Sequence, residues 1–496
     1  MTEPHERGAA RRCDAPCGTK LRPAFATRAR GMLFNSFVFL LAFLPITYLV
    51  FWTLRSAKSR YIWLTMTGYV FYGYWDPRFC LLMAFSTVVS YSAGLGFLRW
   101  KDPRRRRLLL IVPITGDLAI LGFFKYANFL VGSSGRLLNW AGAGVTVPHW
   151  NIILPIGISF YTFHTITYIV DSYRGVVKPT RNIFEFSAYV SLFSQLVAGP
   201  IVRFRQIEED LEKLGQADRT RWLSLGISFF LIGLLEKVVV ADTLAFFVNR
   251  DLANYRLLST NGAWLAMIGY TFQLYFDFAG YSDMAIGLGY MFGLRIPINF
   301  NSPYKALDPS DFWRRWHISL SSCLRDYVYI PLGGNRRGER NAYRNLLLTM
   351  LIGGLWHGAS WTFVIWGAYH GLLLAAYRRV GSTWDQLPRL FRQVSMFMLA
   401  LFGWVLFRST DFGMAANLFA KMFSLTSGAR VEGLVPYIAA LFMAGAWAMA
   451  GPNAQEMHSP QWVPSRRRVI GVAIAAGASL AVLLGSGASP FLYFQF

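Results

Sequence analysis

Charge is what this sequence has least of: Asp, Glu, Lys and Arg make up 15% of its 496 residues, against about 25% in an ordinary soluble domain. That shortage excludes a water-soluble globular fold, and a hydrophobic content of 54% points to a chain that lives in lipid. Cysteine is equally scarce. Cys13, Cys17, Cys80 and Cys323 are too few and too scattered for a disulfide framework or a four-thiolate metal site. No His, Cys, Asp or Glu cluster has metal-ligand spacing, and the phosphate-binding loop, the GxGxxG turn and the GxSxG elbow are all missing. The sequence therefore calls for no metal and no permanently bound cofactor.

Basic residues number 49 against 26 acidic ones, a net charge of +23 that in a soluble chain would suggest a nucleic-acid partner. Here they fall in short clusters between apolar runs, at 104–107, 203–205, 336–337, 378–379 and 466–468. That is the pattern of cytoplasmic loops under the positive-inside bias, so membrane lipid rather than nucleic acid is the expected surrounding. The 44 glycines and 17% aromatic content fit close helix packing in lipid and aromatic belts at its interfaces.

Apolar stretches recur near 33–54, 61–75, 79–98, 108–131, 152–170, 186–202, 222–248, 263–292, 345–377, 394–407, 434–450 and 469–488. Measured against a hydrocarbon core of about 30 Å, they predict an all-α polytopic membrane protein of about ten to twelve transmembrane helices, with re-entrant elements around a central cavity. Gly353, Gly354 and Gly358 interrupt the 345–377 run, which reads as two passes or a hairpin. No internal repeat is visible, which argues against an inverted-repeat transporter. Residues 1–31 carry seven Lys or Arg and no apolar run; they read as a disordered basic tail or a misassigned start upstream of Met32, leaving 32–496 as the membrane domain.

Three polar islands interrupt the apolar map. Between 299 and 345, Pro309 and Ser310 start a helix and Pro331, Gly333 and Gly334 stop it. At 100° per residue, Arg314, His317, Ser321 and Arg325 share one stripe of that helix. It reads either as an interfacial helix with its cations at headgroups, or as the lining of a cytoplasmic cavity for an anionic donor. The second island, GGLWHGASW at 353–361, sets His357 in an apolar run; intramembrane ionisable groups are costly and mark reaction centres. The glycines leave room there for a ligand or for another backbone. The third holds Asp277 and Asp283, about 240° apart around a helix, too far for a shared dyad; each is expected to pair with an arginine or cap a broken helix. His164 and His370, on aromatic-rich faces, read as structural.

The strings QLYFDFAGYSDMAIGLG, NFNSPY, DFWRRWHISLSSCLRDYVYIPLGGNR, NLLLTMLIGGLWHGASW and the terminal SPFLYFQF together resemble the membrane-bound O-acyltransferase family, from about Met32 to Phe496. The resemblance implies a multi-pass protein of the bacterial inner membrane. Its activity would be to take an acetyl group from a cytoplasmic donor, acetyl-CoA, and deliver it outward for O-acetylation of an exported polysaccharide such as alginate. The implied partners are an extracytoplasmic SGNH-type acetyltransferase and the polysaccharide export machinery. The family's membrane histidine falls on His357 and a second on His317. Cys323 stands where relatives usually have Trp, and His164 where Gln or Glu is common. Two readings compete with acetyl transfer: a permease or flippase for a lipid-linked glycan, and a transferase of the same family acting on D-alanine or lipids.

The chemistry suits the residues. A thioester is already activated, so the site needs only a base for the incoming hydroxyl and a dry, oriented cavity. A histidine kept from water stays neutral and supplies that base. Arg314, Arg315, Arg325 and Arg336 are the expected holders of the donor's phosphates. Tyr493, in the terminal SPFLYFQF, belongs either to an aromatic belt or, by similarity to the ending of a small membrane protein of D-alanylation systems, to an acyl carrier. A phenol is acidic enough that its ester stays activated for onward transfer.

Overall fold

The computed structural model describes residues 31–197, 199–216, 218–457, 465–486 and 489–492. Residues 1–30 of the basic tail, and Tyr493, lie outside the described residues. What is described is helical, with no β-sheet. Four helices are long and apolar enough to cross a membrane by length and composition: Pro77–Arg99, Pro103–Trp140, Arg219–Ala253 and Arg389–Arg408. Three shorter apolar helices, Phe39–Thr53, Leu434–Ala450 and Val469–Gly485, accompany them. Others carry polar groups inward. The helix Thr260–Met291 has 32 residues, about 48 Å at 1.5 Å each, and buries Gln273, Asp277 and Ser282. In hydrocarbon such groups must find their partners inside the bundle.

That long helix packs antiparallel against Arg219–Ala253, which passes through a π-turn at Glu236–Ala241. Lipid tails are as apolar as leucine, so helices in a membrane gain from close backbone approach rather than from hydrophobic burial. Glycine supplies the approach. A Cβ on Gly226 would meet the Gly287 carbonyl oxygen at 2.6 Å, and one on Gly280 the Gly233 carbonyl oxygen at 2.5 Å. Each helix thus presents two glycines seven residues apart, about two turns and therefore one face.

The glycine-interrupted run is a hairpin of helices Glu339–His357 and Trp361–Trp384, broken at 358–360 where the Ser360 hydroxyl caps the second arm at Thr362 N. Of the two readings of its glycines, backbone approach holds at Gly354, where a Cβ would run into the Phe363 carbonyl of the second arm.

Candidate active site

The site starts from chain that is not helical. After Met291 the backbone folds back along the helix it has just left: Asn299 Nδ2 donates to Ser282 Oγ at 3.0 Å, and the Tyr304 hydroxyl donates to the Thr271 carbonyl at 2.8 Å. Irregular backbone at this depth is tolerable only where protein surrounds it, and Asn299, Ser302 and Tyr304 are all buried.

The single amphipathic helix expected from Pro309 to Pro331 is broken. The chain forms Pro309–Arg315, then Ile318–Leu324, then a π-turn at Arg325–Tyr329. At the break His317 takes the left-handed conformation, φ 44° and ψ 55°, which non-glycine residues adopt only when the surroundings compensate. Asn299 compensates. Its carbonyl oxygen accepts from Ile318 N at 2.8 Å, and its side-chain Oδ1 accepts from Ser319 N at 3.3 Å and from the Ser319 hydroxyl at 2.8 Å. A backbone N–H can only donate, so that side-chain atom is the amide oxygen. His317 Nδ1, 3.0 Å from it, therefore donates and carries the imidazole proton. The lone pair is left on Nε2, which is buried with no hydrogen-bond partner among the described residues.

His357 closes its helix where Gly358 turns extended, φ −165°. The two imidazoles meet with ring centroids 6.3 Å apart. Aromatic rings wall them in: Trp356, Trp366 and Phe407 lie 5.0–5.2 Å from His357, and Phe278 lies 4.7 Å from His317. His317 and His357 are 0% and 4% exposed, so they form a dry pair. His370 stacks on Phe312 and meets Trp366 edge-on, and His164 is wholly buried.

Two residues missed in the sequence reading hold the end of the His357 helix. Lys125 Nζ donates to the Trp356 carbonyl, and the Tyr126 hydroxyl donates to the Leu355 carbonyl at 2.8 Å. Both lie on the π-turn Gly122–Tyr126 or its flank, and they satisfy terminal carbonyls that a broken helix leaves orphaned. A signal was available, since Lys125 is a lone cation inside an apolar run. Lys125→Met is expected to lower kcat about tenfold with KM for the donor little changed, while Lys125→Arg restores most of the rate. A loss confined to KM would move Lys125 away from the histidine. Asn299 was missed for another reason: its partner lies eighteen residues away across a turn that periodicity does not encode.

A cavity of about 340 Å³ opens between the broken helix and Glu339–His357, lined by Trp313, Arg314, Ser321, Arg325, Tyr329 and Met350 among others. Of the four arginines proposed to hold phosphates, the structure brings together Arg314 and Arg325. Arg315 does not line the cavity, because its guanidinium is tied to Asp311 at 3.0 Å and to the Asn301 carbonyl at 3.2 Å. Arg336 also lies off the cavity, exposed in the turn that follows. His317 leaves the stripe it shares with them in an ideal helix and points inward. Partial burial pushes the Asp326 carboxyl up, but hydrogen bonds from Arg325 and Arg203 outweigh it and hold the group below the usual carboxylate range. Arg325 therefore keeps an ionised partner at the rim and still has N–H groups to offer. Met350, on the inner wall, is two turns short of His357, about 10 Å along the helix.

On the opposite flank Phe491 and Leu492 enter the interior. Phe491 packs on Phe278 with centroids 5.4 Å apart, and Phe278 is the ring against His317. Among the described residues no group of three or more His, Cys, Asp or Glu is arranged to hold a metal ion.

The profile of the membrane-bound O-acyltransferase family matches residues 176–414, a stretch that contains both histidines. The probable alginate O-acetylase of Pseudomonas putida is 42% identical over 499 residues, covering 94% of this chain and 100% of that protein. The peptidoglycan O-acetyltransferase of Helicobacter pylori is 38% identical, covering 79% of this chain and 80% of its own. A teichoic acid D-alanyltransferase of Bacillus subtilis is 32% identical over 240 residues, covering 46% and 60%. With a relative matched along its whole length and a buried histidine pair behind an arginine-lined cavity, the chain belongs to the membrane-bound O-acyltransferase family.

Proposed function

We propose that this acyltransferase takes an acetyl group from acetyl-CoA at the cytoplasmic face and passes it through the membrane for O-acetylation of an exported polysaccharide such as alginate. The observation that carries the reading is the dry pair His317 and His357, 6.3 Å apart, behind a cavity that presents Arg314 and Arg325. The two guanidiniums bind phosphate oxygens at the mouth, and the thioester arm runs inward past Leu324 and Met350. An acceptor hydroxyl attacks the thioester carbonyl; a C–O bond forms and the C–S bond breaks. The proton of the hydroxyl passes to an imidazole lone pair and from there to the departing thiolate, so the enzyme returns to its starting charge. Aromatic walls exclude the water that would otherwise hydrolyse the donor.

Alanine at Arg314 or Arg325 is expected to raise KM for acetyl-CoA about tenfold, the equivalent of one charge-assisted hydrogen bond of about 1.5 kcal/mol, with kcat nearly unchanged. Alanine at Arg336 leaves both constants alone. A fall in kcat at constant KM overturns the phosphate-holding role.

In this reading Tyr493 is the first acceptor. Its phenol takes the acetyl group as an aryl ester and gives it up to an extracytoplasmic SGNH-type transferase working with the export machinery. Support comes from the residues just before it, since Phe491 is buried one ring away from His317. Tyr493→Phe keeps the ring and removes the nucleophile, and is expected to cut glycan acetylation at least tenfold; normal acetylation leaves Tyr493 as an aromatic anchor. The whole reading is tested by deleting the gene and measuring ester-linked acetate on each surface polysaccharide. Unchanged acetate on all of them overturns it.

A further inference from the structure

Midway along the long helix pair lies a charged cluster that the transfer chemistry does not use. Lys237, 2% exposed, sits one turn beyond Gly233 on the glycine seam, and Asp277 sits one turn before Gly280 on the facing helix. The lysine Nζ is 2.7 Å from Asp277 Oδ1 and 2.6 Å from Asp242 Oδ1. A buried ion pair contributes little net stability compared with apolar residues of the same volume. Its persistence calls for something that it holds.

What it holds is the segment Ser489–Leu492. Lys237 Nζ donates to Ser489 Oγ at 2.8 Å and to the Pro490 carbonyl at 3.3 Å, while the Ser489 hydroxyl donates to Asp242 Oδ1 at 2.6 Å. Leu492 N donates to the second oxygen of Asp277 at 2.8 Å, and Asn35 Nδ2 donates to the Ser489 carbonyl at 3.2 Å. The Ser489 hydroxyl, the Pro490 carbonyl and the Leu492 N–H are thus met by charged groups from the two long helices, and the Ser489 carbonyl by Asn35. Phe491 and Leu492, 1% and 3% exposed, are drawn into the core. Phe491 lies against Phe278 and Tyr281, with centroids 5.4 and 5.0 Å away, and Phe278 is the ring that touches His317.

We propose that Lys237, Asp242 and Asp277 form a docking site for the segment Ser489–Leu492, and that Lys237 and Asp277 are positioning residues for acyl transfer because they set where that segment lies, one ring away from His317. The proposal rests on the reading that transfer takes place at the histidine pair. Lys237 and Asp277 each act through the Ser489–Leu492 backbone.

The test reads docking and transfer separately. Leu492→Cys is introduced into the full-length protein, and its reaction with a polar maleimide is followed in detergent, after subtraction of the signal from the chain without the new cysteine. In the otherwise native chain labelling is expected to be at least tenfold slower than after denaturation. The pair Lys237→Met with Asp277→Leu removes both charges together and is expected to raise labelling at least tenfold while glycan acetylation falls at least tenfold. Should that pair fail to fold, Ser489→Ala serves in its place, since it leaves the ion pair intact and deletes only the segment's hydroxyl. Labelling as fast in the native chain as in the variants overturns the docking site. Fast labelling with acetylation unchanged overturns the positioning role. If the otherwise native chain carries no acetylation activity, the functional reading falls instead, and the labelling still decides whether the segment is docked.

Discussion

His357→Ala is expected to abolish acetyl transfer while the protein still accumulates in the membrane at its normal level. Loss of a general base typically lowers a rate by 10² to 10⁴, and here bulk water cannot substitute, because Trp356, Trp366 and Phe407 close around the ring. The fold survives because the side chain sits at the end of its helix, whose terminal carbonyls are held by Lys125 and Tyr126 rather than by the imidazole. His317→Ala is expected to be severe as well, through loss of the Nε2 lone pair that Asn299 orients. Asn299→Ala should therefore approach the effect of His317→Ala, an outcome that mere proximity does not predict. Radiolabelled acetate on exported glycan, with blotting of the membrane fraction, checks all three. Wild-type transfer in His357→Ala would sink the assignment of that residue.

The two histidines were legible in the sequence and their meeting was not. His357 stands out by type, an ionisable residue between glycines in an apolar run. The hairpin around it was legible from Gly353, Gly354 and Gly358, though only Gly358 falls at the break, the other two lying inside the first arm. His317 was picked out through the family resemblance, and the helical stripe that placed it among the cations does not hold. Helical periodicity assumes a continuous axis, and the stripe of Arg314, His317, Ser321 and Arg325 holds only on such an axis. The left-handed turn at His317 separates the cations, which stay on the cavity, from the imidazole, which swings inward to Asn299. Asp277 was expected to pair with an arginine or cap a broken helix, and it pairs instead with Lys237, forty residues earlier. No local pattern announces that contact, because it depends on which helix lies alongside.

The glycine seam that brings Lys237 to Asp277 sets the second large effect. Gly280→Ala adds one methyl group, and its carbon would stand 2.5 Å from the Gly233 carbonyl oxygen and 2.8 Å from Lys237 N. Both neighbours are backbone, so no rotamer change relieves the clash and the helices themselves must separate. Overpacking that side chains can partly absorb costs about 1–3 kcal/mol; with rigid backbone on both sides, the expected cost lies at or beyond the upper end of that range. Separation also stretches the Lys237–Asp277 pair on the next turn, stranding two charges in an apolar interior. Gly280→Ala is therefore expected to reduce the yield of monodisperse protein in detergent severely, and any folded remainder should transfer little acetyl. Gly116→Ala is the matched comparison: it also lies inside a helix, but its Cβ would meet nothing within 4 Å, so the better helix propensity of alanine makes it neutral or slightly stabilising. Thermal melting of the two variants beside the native protein decides the matter. A Gly280→Ala chain that melts with the native one would show that the two long helices do not pack backbone to backbone through glycine.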